Sequence, residues 1–229
     1  MTPPKPKVPL RKNPWFWAAI ACLVFPPLIR PFTRNIVEAP LPTSPQVVAQ
    51  LVSSAGLPFG SAQLEERIHI TVFADASEPG CPEAIVALRP LVERMDTQAL
   101  AGRGFLARTA GFGDDIRVLV VAGFSSSDSV AADLATLEAS CALDTSRWVV
   151  AGGALPEVLG LAASFEGRTG GTTTLLSHRR MTIVDTKRRS RGFYGLDELG
   201  LDEVYHRARH VLRDDRIDVR EALSGGGRS

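Results

Sequence analysis

Cysteine is scarce in this chain: Cys22, Cys81 and Cys141 are the only three among 229 residues. An odd count this sparse excludes a disulfide framework, and no C-x-x-C or Cys/His spacing of a zinc site occurs. Net charge is nearly absent as well. The formal value of +1 provides no global field for nucleic acid or for an acidic partner. An uninterrupted apolar run of the ~20 residues that comfortably span a bilayer is also missing. The nearest approach is "WFWAAIACLVFPPLI" at 15–29. No A-x-A-like cleavage site follows it, which argues against a removable signal peptide.

The flanks of that segment are informative. Lys5, Lys7, Arg11 and Lys12 precede it, and it begins with Trp15, Phe16 and Trp17, the residues of an interfacial belt. Snorkelling of Arg30 and inclusion of the following Pro-Phe extend it to 15–32. Pro26 and Pro27 oppose a buried soluble helix here. The segment therefore reads as an uncleaved anchor that places the protein at the cell membrane in a single pass. The excess of basic residues before it puts the 1–14 tail in the cytoplasm and the remainder on the extracytoplasmic side. Cys22 would lie within the anchor.

Beyond the anchor, prolines mark 33–56 as a linker, and 57–213 as one folded domain. "RIHITVF" and "IRVLVVAGF" read as buried strands, and "RWVVAGG" as a shorter one. Helical periodicity follows each, with Pro90 expected to kink the first helix. "RRMTIVDTKRRSRGFYG" reads as a hairpin with a basic, solvated turn, and "GLDEVYHRARHVLRD" as a closing amphipathic helix. Residues 214–229 read as a disordered tail. The order β-α-β-α-β-α-β-β-α predicts an α/β fold, a thioredoxin-like mixed sheet flanked by helices. The crossover rule makes the strands at 67–73 and 116–124 parallel. Ligand sites lie beyond the carboxyl ends of such strands, which is where Cys81 falls. An antiparallel first hairpin strand would begin at the same edge and bring His178 toward Cys81.

A thiol at a helix start is expected to be thiolate-like. Cys141 ends a helix that runs back from this edge, so it is expected at the far end of the sheet, beyond the ~7 Å Cα separation that permits a bridge. His69 falls in or beside a strand and is assigned no chemistry. His206 and His210, four apart on the last helix, read as part of a solvated face. A thioredoxin-fold peroxidase would show P-x-x-x-T-x-x-C, and Glu78 stands where the threonine belongs.

Four stretches carry a resemblance: "LPFGSAQLEERIHITVFADASEPGCP", "DTSRWVVAGGALPEVLGLA", "LLSHRRMTIVDTKRRSRGFYG" and the final helix. Over roughly 57–213 the chain resembles the Sco/SenC family, membrane-anchored copper-binding metallochaperones that assist cytochrome c oxidase assembly. The resemblance implies a site of the form F-x-x-C-P-x-x-C-P with a distal histidine. Phe73 matches, and Cys81-Pro82 matches the second cysteine and its proline. Ser77 stands four residues before Cys81, and Ala76 three after Phe73, so the first cysteine is missing on either count. The family's D-P-x-x-D is reduced to Asp128. Cys81 and His178 are left as the implied metal ligands, and one thiolate with one imidazole would hold copper(I) weakly. Asp75 and Glu78 offer hard oxygens that do not suit this ion. The implied partners are a respiratory oxidase subunit or another assembly factor. Two alternatives remain: a non-catalytic docking or structural paralogue, and a single-cysteine thiol oxidoreductase.

Overall fold

The computed structural model describes residues 15–18, 20, 40–42, 51–65, 67–101, 115–126, 128–167 and 180–225, with backbone alone over 97–101 and 217–225. The 1–14 tail, the anchor residues 21–32, most of the proline-rich stretch, and His178 lie outside the described residues. The chain divides into two compact units, Met1–Glu38 and Ala39–Ser229. In the first, residues 15–18 and 20 are helical, Trp15 and Trp17 are exposed, and Phe16 stands edge-on to Trp17. No helix among the described residues is long and apolar enough to cross a membrane.

The described residues of the second unit form seven strands: β1 (Leu51–Ser53), β2 (Pro58–Phe59), β3 (Ile68–Asp75), β4 (Ile116–Phe124), β5 (Trp148–Ala154), β6 (Arg180–Val184) and β7 (Ser190–Gly195). They form one sheet in the order β2-β1-β5-β4-β3-β6-β7. The helices described are α1 (Ser61–Glu65), α2 (Cys81–Val86), α3 (Arg89–Ala101), α4 (Val130–Ser140), α5 (Leu155–Phe165) and α6 (Glu198–Gly225). β3, β4 and β5 run parallel, whereas β6 pairs antiparallel with β3. The expected mixed sheet and strand–helix order from 67 onward are thus present.

Alternation along β3 explains why both faces are covered. Ile68, Ile70, Val72 and Ala74 join Ile85 of α2, Met95 of α3, Leu134 of α4 and Tyr205 of α6 in one core. Phe73 points the other way, into a second core with Leu119, Val121, Leu64 of α1 and Phe165 of α5. Side chains alternate across a strand, so a central strand buried on both sides reads as nearly continuous apolar sequence. Pro90 has no N–H to offer the carbonyl of Val86, and the helix breaks there. Ala87 and Leu88 bridge α2 to α3, with Ala87 N–H donating to Glu83 and Leu88 N–H to Ile85.

Three expectations need correction. The 33–56 stretch is not wholly linker, because β1 pairs antiparallel with both β2 and β5. Leu51 is buried in the second core, which offsets the cost of ordering so short a strand. The tail from 214 is not disordered through most of its length, because α6 continues to Gly225. "RDDRIDVREAL" is composed largely of residues compatible with a helix. Asp215 accepts a hydrogen bond from the Thr186 hydroxyl at 2.8 Å, and Arg216 pairs with Asp115. The basic turn is not simply solvated either: Arg191 is buried beside a fully buried Asp185.

Close packing within the sheet yields a first prediction. A Cβ placed on Gly152 of β5 would collide with the Ala122 carbonyl oxygen of β4 and press on Leu134. Backbone cannot retreat as a flexible side-chain tip can. Gly152→Ala should destabilise the domain by roughly 1–3 kcal/mol, seen as a lower urea midpoint. An unchanged midpoint would show that β4 and β5 can separate at no cost.

Candidate functional site at the carboxyl end of the central strand

β3 ends at Asp75, whose carboxylate organises the following turn. Its Oδ1 accepts the Ser77 N–H at 2.9 Å and also the Ser77 hydroxyl, an Asx-type closure that needs no special backbone. Ala76 N–H donates to the Gly123 carbonyl at 2.9 Å, tying the turn to β4. Ser77 Oγ also lies 3.4 Å from Ser125 Oγ. Ser77, the residue standing four before Cys81, is therefore held by a carboxylate and presents no soft donor.

α2 starts at Cys81, with Pro82 in its first turn. Cys81 lines a small cleft with Val72, Ala74, Ala84, Ile85 and Leu196, and only 4% of it is exposed. Its own N–H donates to the Glu78 carbonyl at 3.0 Å. The thiol pKa is pushed up to about 11, first by burial, then by Cys141, Asp75, Glu78 and Glu83. This overturns the expected thiolate. A six-residue helix offers little dipole, and desolvation by the core outweighs what it does offer. With three carboxylates nearby and burial opposing charge, Cys81 is a protonated thiol at neutral pH.

The location of Cys141 also differs from expectation. It follows α4 and is fully buried, and its Sγ approaches the Pro82 carbonyl oxygen at 3.9 Å. Arg89 donates to the Cys141 carbonyl at 2.6 Å. The break between α2 and α3 lets residues 81–89 lie against the carboxyl end of α4. Cys141 thus neighbours the start of α2 and does not sit at a remote sheet end. A groove beside the turn, lined by Ser77, Ser125, Ser126, Asp133, Thr136 and Ser140, was also not anticipated. The run "SSSDS" at 125–129 was its one sequence signal.

The histidines divide clearly. Met181 of β6 pairs with Val72 of β3, so β6 begins at the edge where β3 ends, as the topology argument requires. His178 itself lies outside the described residues. His69 is buried within β3, with its pKa lowered to about 4 chiefly by desolvation. His206 stands on the exposed face of α6 near Asp202 and Arg94. No group of three or more His, Cys, Asp or Glu side chains that could hold a metal occurs among the described residues.

Copper(I) favours deprotonated sulfur. The described donors near the turn are a buried, protonated Cys81 and the hard oxygens of Asp75 and Glu78. These residues do not by themselves fit a tight copper(I) centre.

No family model and no curated protein sequence matches the chain. Solved structures do match. A SCO1/SenC family lipoprotein from Bacillus anthracis superposes with a TM-score of 0.56 at 13% identity, covering 76% of this chain and 97% of that one. BsSco, a member of the Sco family of cytochrome c oxidase assembly proteins, gives a TM-score of 0.56 at 14% identity, with 76% and 96% covered. Arabidopsis thaliana ScoI with copper bound gives 0.52 at 12% identity, with 75% and 99% covered. With β3, the turn, Cys81-Pro82 and the β6–β7 hairpin in this arrangement, the chain has the fold of the solved Sco/SenC proteins.

Proposed function

We propose that this is a divergent Sco/SenC-type protein, anchored by residues 15–32 with its domain on the extracytoplasmic side. In this reading it assists assembly of the copper site of cytochrome c oxidase through contact with an oxidase subunit or another assembly factor. The observation that carries the reading is the position of Cys81-Pro82. The pair opens a helix directly after β3, in a fold shared with a named oxidase assembly protein.

The copper site is weakened in this reading. Cys81 and His178 would hold the ion, with sulfur and imidazole as donors. Ser77 can orient a neighbour but cannot replace a thiolate. The burial of Cys81 favours a second reading, in which the protein acts by docking alone. The same burial weighs against a single-cysteine oxidoreductase, which needs an accessible thiolate.

Competition against a copper(I) chelator tests this. The native chain should bind weakly, Ser77→Cys more tightly by at least about tenfold, and Cys81→Ala not at all. Equal binding by Cys81→Ala and the native chain would remove Cys81 as a ligand and leave the docking reading. Release of the protein from membranes by alkaline washing would remove the anchor.

A further inference from the structure

We propose that the groove between the 75–77 turn and α4 receives the guanidinium of an arginine side chain presented by a partner protein. The inference does not rest on copper binding or on the family reading.

The groove lies beyond the carboxyl ends of the parallel strands β3 and β4, where ligand sites of such sheets form. Its volume is about 380 Å³. Ser77, after β3, and Ser125 and Ser126, after β4, line one side. Asp133, Thr136 and Ser140 of α4 line the other. Their spacing of three and four residues sets them on one face of the helix. Among the described residues, no lysine, arginine or histidine lines the groove. Arg89 donates to the Cys141 carbonyl at 2.6 Å and is not part of the lining.

The hydroxyls decide which ligand fits. A serine or threonine hydroxyl has one proton to donate and two lone pairs with which to accept. Thr136 donates its proton to the Ala132 carbonyl at 2.9 Å, and Ser140 donates to the Leu137 carbonyl at 2.8 Å. Ser77 donates to the Asp75 carboxylate. Ser125 Oγ lies 3.4 Å from Ser77 Oγ. The Ser77 proton is already committed, so Ser125 is the donor of that contact. These four hydroxyls direct their protons into the protein and leave lone pairs for the groove. The Asp133 carboxylate adds further acceptors and a negative charge. Such a lining repels an anion and suits a cation rich in N–H donors.

The lining also separates one cation from another. Calcium and magnesium ions favour several anionic oxygens, and Asp133 is the one carboxylate among the described lining residues. An ammonium is a compact, strongly hydrated charge. A guanidinium is weakly hydrated, carries five N–H donors in one plane, and packs against aromatic rings. Phe124 places such a ring on the same lining. Free arginine would bring its own carboxylate toward these acceptors. The guanidinium therefore arrives on a peptide chain, where that charge is gone.

The test uses the full isotope-labelled chain in a neutral detergent, titrated with the peptide acetyl-Gly-Arg-Gly-amide and followed by backbone amide NMR. Saturable shifts should centre on Ser77, Thr136 and Ser140. The same peptide with citrulline keeps the shape and loses the charge, and should bind at least about tenfold more weakly. The lysine peptide and free arginine should also bind more weakly. Asp133→Asn should weaken the arginine peptide by about tenfold, and Thr136→Val, which removes one hydroxyl acceptor, by about fivefold. Should one variant fold poorly, the other decides. Shifts confined to other regions, or none, overturn the proposal. So does equal binding of the citrulline or lysine peptide or of free arginine, or an affinity unchanged in a folded variant.

Discussion

Replacing Asp185 by alanine is expected to destabilise the domain by about 3–5 kcal/mol, the loss typical of a buried ion pair stripped of one partner. Asp185 is fully buried. Its Oδ1 accepts the N–H groups of Lys187 and Arg189 at 3.0 and 2.9 Å. Its Oδ2 accepts Nε of both Arg189 and Arg191 at 2.8 Å. One carboxylate therefore closes the β6–β7 turn and neutralises a guanidinium that is itself buried. Arg191 reaches onward to the Pro40 carbonyl at 3.1 Å. Alanine at 185 would leave Arg191 charged and without this partner, together with two backbone donors deprived of theirs. Urea unfolding should show a large fall in midpoint at constant slope. Asp185→Asn should fall between the two, since an amide oxygen can still serve the backbone donors but cannot balance the guanidinium. A loss below about 1 kcal/mol for the alanine variant would mean that water replaces the carboxylate, and would refute its role as the hairpin's organiser.

His69 sets a second large effect, on pH dependence. Its folded pKa of about 4 lies below the ordinary 6.5 because burial disfavours the imidazolium, with Arg117 and Arg67 adding repulsion and a backbone hydrogen bond at Arg67 partly opposing. Above pH 6.5 both folded and unfolded chains carry a neutral ring, and the domain has its full stability with respect to this group. Below 6.5 the unfolded chain takes up a proton that the native chain refuses. Stability should therefore fall between pH 6.5 and about 4, by roughly 3 kcal/mol at 1.36 kcal/mol per unit, and then level off. His69→Val will alter the baseline, but it should remove this component of the slope. Parallel stability–pH curves for the two proteins over that window would show that His69 is not the acid-sensitive group.

Much of the sheet could be read from local pattern. β3 and β4 are apolar nearly throughout because both faces are covered, and the intervening helix forces them parallel. The place of Cys81 follows from that topology, since only one short turn separates it from the end of β3. The state of its thiol did not follow. A helix start favours a thiolate and burial opposes it, and burial depends on Leu196 and on the strand beneath, far away in sequence. Cys141 was misplaced for a related reason. Periodicity reveals that a helix returns along the sheet, but not that a neighbouring helix breaks and folds down against its end. The run at 187–191 shows five residues rich in positive charge, yet nothing local marks Asp185 as the buried group that draws two of its arginines inward. β1 has three residues, too few for alternation to register, and it forms because β5 and β2 accept it on either side.

The outer margins of the sheet bear on how this molecule can meet others. At one margin β2 has two residues, and one of them is Pro58, which has no N–H to lend to an incoming strand. At the other, β7 carries a register irregularity against β6, and Gly192 stands at φ +113°. An interrupted, twisted margin is a poor template for ladder extension. Neither side invites a foreign strand to pair, so amyloid-like stacking and partner capture by strand addition are both disfavoured. At the described margins of the sheet, side chains on helices and turns, where shape and charge can discriminate, are then better suited to recognition than the backbone, which is the same in every chain.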